Sequence, residues 1–157
     1  MVSPRLELNS VLIARTTTQS MLFPIHLELE NRTAETLALA DSAAGDRFIH
    51  PNYVKKIKAK THRLPQSIRA FNVDGTENKR GTITEYVNLR TTIHGRIRQM
   101  RFYICGIGKH DIILGLPWFR QENPLIDWKA GTLAWRRHFK LLPQNPTLKR
   151  TSRLFPP

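Results

Sequence analysis

Apolar positions in this chain come in short runs, several with a period of two, broken every few residues by turn formers. Residues 21–29 (Met-Leu-Phe-Pro-Ile-His-Leu-Glu-Leu) are apolar and alternate late, which predicts a strand. Pro24 predicts that its early part is irregular or lies at a sheet edge. A turn at 30–33 leads to a second apolar run, 36–40, which stops at Asp41. Residues 51–57 predict a short helix, with Pro51 suited to its first turn and Tyr53, Val54 and Ile57 on one face. The β-branched stretches 82–93 and 99–105 predict two more strands. Residues 111–114 predict a buried strand and 117–121 a brief helix. Short strands are expected at 125–128, 132–135 and 139–142.

Many short strands, frequent turns and two brief helices indicate an all-β domain, closed or strongly curled into a barrel. The predicted organisation is a polar lead-in over 1–20, a domain over 21–142, and a Pro-rich, basic linker or tail over 143–157. A length of 157 residues suits one such domain.

Composition changes this picture at three points. Cys105 is the one cysteine, so no internal disulfide forms. It lies in the run 102–105 and is expected to be a buried strand residue. No stretch approaches the roughly 18–20 apolar residues of a membrane span, and residues 1–5 lack a secretory pattern. A soluble, cytoplasmic protein with no membrane partner is expected. The net charge of +13 is the unusual quantity. Lys55, Lys56, Lys58, Lys60, Arg63 and Arg69 fall in a segment free of acids. A surplus of this kind attracts polyanions, so non-specific nucleic-acid binding through a basic surface stays open beside a merely solvated one. Base stacking needs aromatic platforms, and Trp118, Trp128 and Trp135 read as core or interface residues instead. The histidines show no metal-ligand spacing and one cysteine cannot complete a zinc site, so no metal or cofactor is expected.

Candidate chemistry centres on two segments. In Leu37-Ala38-Leu39-Ala40-Asp41-Ser42-Ala43-Ala44-Gly45, an apolar strand delivers one carboxylate to its end among small residues. Such a carboxylate is costly unless hydrogen-bonded or functional. On its own, Asp41 also reads as a turn residue that ends a strand. The second segment is Asp111-Ile112-Ile113-Leu114-Gly115-Leu116-Pro117-Trp118, followed by Asn123-Pro124-Leu125-Ile126-Asp127-Trp128. Asp111 and Asp127 read as structural turn or capping residues.

In this order and separation, the two segments resemble the protease region of gypsy-type LTR retrotransposon polyproteins. The family's first block reads Asp-Ser-Gly-Ala, followed by a Phe-Ile pair, here Phe48-Ile49. Its second block matches 111–118 and 123–128 closely. The resemblance covers about residues 20–135. It implies a retropepsin-like, acid-protease barrel whose protomers pair as a homodimer, each supplying half of an active site. Asp41 would activate water together with its twin, hydrolysing a peptide or polyprotein substrate. Ser42 would brace the dyad, Ala43, Ala44 and Gly45 would form the active-site loop, and Ile113, Leu114 and Gly115 would support it from behind. A hairpin tipped by Asp74, Gly75 and Thr76 would serve as a flap.

The sequence departs from that pattern at Ala43, where the family has Gly, and at Gly45, where it has Thr or Ser. If position 43 requires a positive φ, Ala costs about 1–2 kcal/mol. Three readings therefore stand: an aspartic-type endopeptidase with a degenerate loop, a catalytically inactive dimerisation or peptide-binding module of the same fold, and a basic nucleic-acid-binding module.

Overall fold

The computed structural model describes residues 12–13, 15–17, 20–71 and 77–136, with side chains over 20–70 and 82–136. Eleven strands and two short helices are assigned among them.

Strand β3 (Ser20–Glu28) alternates as its sequence requires, burying Met21, Phe23, Ile25 and Leu27. It pairs antiparallel with β4 (Thr33–Ala40). Pro24 does not interrupt the strand. On its other side, β3 pairs through Leu22 with β2 (Arg15–Thr17) and from His26 onward with β7 (Glu77–Ile93). Pro24 falls where the partner changes, the stretch of β3 that behaves as an edge and tolerates a missing N–H.

The two segments singled out in the sequence lie side by side. β4 runs parallel to β9 (Ile112–Leu114), with Ala38 opposite Ile112, Leu39 opposite Ile113 and Ala40 opposite Leu114. Asp41 and Gly115 therefore emerge at the same end of the sheet. β5 (Phe48–Ile49) lies between β9 and β8 (Arg96–Ile104), antiparallel to the first and parallel to the second. β8 pairs with β7 through the His94–Gly95 turn, where both residues have positive φ. The β7–β3 pairing closes the ring β3-β4-β9-β5-β8-β7. The fold is the all-β closed barrel expected of a retropepsin-like chain.

Phe23, Phe102, Ile112, Leu114 and Trp118 are almost completely buried in the barrel core. Helix α1 (Pro51–Ile57) covers one side with Tyr53, Val54 and Ile57. His50 Nδ1 accepts from the Asn52 N–H at its start, and Lys58 ends it in the left-handed conformation. Helix α2 (Leu116–Glu122) buries Trp118 and Glu122.

Two segments differ from the sequence reading. Residues 61–71, noted only as basic, form β6 (Thr61–Phe71), the partner of β7. Pro65 and the lack of clean alternation obscured it. The pairing register shifts between Arg63 and Ile68, an irregularity that accommodates the proline. Within the stretch read as a polar lead-in, β1 (Leu12–Ile13) pairs with β11 (Thr132–Ala134). β11 also pairs with β10 (Leu125–Asp127), making a three-stranded sheet. The strand expected at 139–142 lies outside the described residues.

Candidate active site

The loop after β4 folds back onto its own carboxylate. The amide of Ala43 donates to Asp41 Oδ1 at 3.0 Å, and the amide of Ala44 donates to the Asp41 carbonyl at 3.1 Å. The Asp41 amide is held by the Leu114 carbonyl at 3.0 Å, and the Leu116 amide donates to the Ala44 carbonyl at 2.9 Å. Two loops from parallel neighbours are thus joined by main-chain hydrogen bonds, which positions the half-buried Asp41 from the backbone alone.

Gly115 makes this contact possible. A Cβ at that position would lie 2.2 Å from the Asp46 carbonyl oxygen and 2.5 Å from that of Ala44. Both neighbours are backbone and cannot step aside. Leu114 is fully buried beneath the loop, while Ile113, on the opposite face of β9, lines the cleft.

Ala43 carries no left-handed strain. Among the described non-glycine residues, positive φ occurs at Lys58, His94 and Asn123 only. The cost that a positive φ would impose at position 43 is therefore absent, and its amide still reaches the carboxylate. Gly45 has open space around it and no positive φ. Ser42 is exposed, and its hydroxyl has no hydrogen-bond partner among the described residues.

Asp41, Ala43, Ala44 and Gly45 line one side of a cleft of about 710 Å3. Phe48, Ile68, Ile83, Tyr103 and Ile113 give it a largely apolar lining, with Asp46 and Arg69 as its charged members besides Asp41. Ile68 and Arg69 come from β6 and Ile83 from β7, so this long hairpin overhangs the cleft. Asp74, Gly75 and Thr76 lie outside the described residues, though Phe71 and Glu77 on either side of them pair.

The cleft also holds Cys105. It follows the last residue of β8 and is half-buried, not a buried strand residue as its apolar run suggested. The positions of Ile68, Ile83, Tyr103 and Cys105 beside Asp41 had no signal in the sequence, because only barrel closure brings them there.

Asp111 sits at the opposite end of β9 from Leu114. Its carboxylate accepts from Thr36 Oγ1 at 2.6 Å and its carbonyl from the His50 amide at 2.8 Å. It is a structural residue and not a second acid beside Asp41. Asp127 Oδ1 accepts from the Ala130 amide at 2.8 Å and shapes a turn. His110 feels the charge of Asp111 and, more weakly, that of Asp41. Partial burial, with help from Lys109, pushes its imidazole below the usual range against the pull of the two carboxylates. Among the described residues, no group of three His, Cys, Asp or Glu side chains is arranged to hold a metal ion.

Comparison with known proteins places these features in context. The family model described as the PEG10/RTL1 protease domain matches residues 37–141. Among solved structures, the retroviral protease-like domain of Ddi1 from Leishmania major is similar, at 11% identity and a TM-score of 0.47, covering 78% of this chain and 96% of that one. No curated protein matches the chain.

Proposed function

The chain belongs to the PEG10/RTL1 protease-domain family, and on that premise we propose that it is an aspartic endopeptidase whose water-activating dyad forms from Asp41 of two copies. The observation that carries the reading is the hydrogen-bonded seat of Asp41 at the edge of an apolar cleft. The Asp41 carboxylate of each chain is presented there, held by its own loop amide, while Asp46, the cleft's other carboxylate, is engaged by Arg47.

Two carboxylates brought together across a two-fold axis share a proton, because both cannot easily ionise at that separation. The ionised member takes a proton from water as the water attacks the scissile carbonyl, and the protonated member donates to the carbonyl oxygen. The roles then exchange as the amine leaves. The Ser42 hydroxyl is free to brace the partner's loop. An extended peptide lies in the cleft between the Asp41 loop and the β6–β7 hairpin, with apolar side chains against Ile68, Ile83 and Ile113. Closure of the hairpin excludes water. The natural substrate is the polyprotein of a gypsy-type element.

The test is cleavage of a mixed peptide library at about pH 4–6, where a shared-proton dyad is competent. Asp41→Asn is expected to abolish cleavage. Ala43→Gly is expected to change the rate less than about tenfold, since no backbone strain stands to be relieved. A folded dimer that cleaves nothing, with or without Ala43→Gly, would identify an inactive binding module of the same fold.

A further inference from the structure

Trp128 is the most exposed large apolar side chain among the described residues, at 59%. Core membership, one of the two roles the sequence allowed it, is excluded. Its ring leans on Phe119 of α2 at 6.4 Å between centroids, and Leu125 nearby on β10 is 42% exposed. Among the described residues, β10 pairs on one side only, with β11. An exposed indole beside an unpaired strand edge marks an interaction surface.

Its location says what covers it. Trp128 lines two concavities. One, of about 510 Å3, runs along α2, β10 and β11. The other, of about 360 Å3, is formed with Ser20, Met21, Leu39, Ala40 and Asp41. Asp41 lines both this groove and the peptide cleft, so it marks the boundary between them. A dyad requires the second Asp41 to approach within hydrogen-bonding distance of the first. The cleft side of that boundary is reserved for the peptide. The groove side, with Trp128 on its wall, is left to face the second copy.

We propose that Trp128 anchors the self-association that completes the active site, the indole of each protomer packing into a concavity of the other. Protruding indole and adjoining concavity on one patch suit an isologous contact, in which the same surface serves both partners. The inference rests on the dyad reading and goes beyond it by naming the residue that holds the pair together. Trp is also the side chain most enriched at the energetic centres of interfaces.

The experiment is sedimentation equilibrium of the full chain over a wide concentration range for the wild type, Trp128→Ala, Trp128→Phe and Asp41→Asn. Trp128→Ala is expected to raise the dimer dissociation constant about thirtyfold or more, and Trp128→Phe to raise it less. Matching urea unfolding of the dilute monomers would show that the exposed substitution leaves the fold intact. A Trp128→Ala protein that dimerises within about threefold of the wild type overturns the role of Trp128 and leaves the dyad standing. A wild type that stays monomeric at the highest concentration overturns both.

Discussion

Gly115 has no room for a side chain, and this makes it the sharpest test of how the Asp41 loop is held. In Gly115→Ala the new methyl must displace the Ala44 and Asp46 carbonyls. The expected cost is about 1–3 kcal/mol by urea unfolding, with peptide cleavage lost because the loop that seats Asp41 moves. Gly45 is the control: its surroundings are open, so Gly45→Thr, which restores the hydroxyl usual in the family, should leave stability within about 0.5 kcal/mol. His110 supplies a pH dependence of known sign. Its folded pKa is lowered, so the folded state binds fewer protons than the unfolded chain. Its contribution is neutral above the ordinary histidine range and becomes destabilising as pH falls through 6.5 toward the folded value. His110→Gln should flatten that part of the stability profile, read as unfolding midpoints from pH 7.5 to 5.

At the scale of elements, the β7–β8 hairpin is clasped to the end of α2. The Glu122 carboxylate, 3% exposed, accepts from Arg96 Nη1 at 2.9 Å and from Arg98 Nε at 2.7 Å. The Arg96 guanidinium also lies 4.1 Å from the centroid of the Trp135 ring, and Trp135 Nε1 donates to the His94 carbonyl at the hairpin turn. Glu122→Gln leaves Arg96 facing Arg98 without a counter-charge. Because Arg98 is 44% exposed and can turn to water, the expected loss is about 2–3 kcal/mol, below that for a fully buried pair, again by urea unfolding. The β6–β7 hairpin behaves differently in sequence terms. β7 announced itself by β-branched residues over 82–93, whereas β6, with Pro65 and a register shift, is a strand because β7 supplies a partner.

For the whole molecule, the proposed sharing of the site by two copies predicts that activity depends on concentration. Specific activity is expected to rise with protein concentration and level off above the dissociation constant of the dimer. Added in excess, Asp41→Asn protein should suppress wild-type cleavage by drawing it into mixed pairs. A specific activity independent of concentration, with no such suppression, would argue for a monomeric active unit.

Much of this was legible in the chain. Alternation in β3 and the apolar run into Asp41 are local properties, and so are the Pro51 helix start and the Ile112-Ile113-Leu114-Gly115 stop. Side-chain chemistry and backbone sterics determine them within a few residues, and the order of the two segments carried the family resemblance. Other features depend on residues far apart in sequence. The parallel pairing of β4 with β9 decides that Gly115 backs Asp41, and closure of β7 onto β3 decides which apolar residues line the cleft. The absence of strain at Ala43 is a backbone dihedral that its residue type left open. Trp128 was ambiguous for the same reason: a tryptophan wants burial, and only the packed molecule shows that the described residues do not supply it.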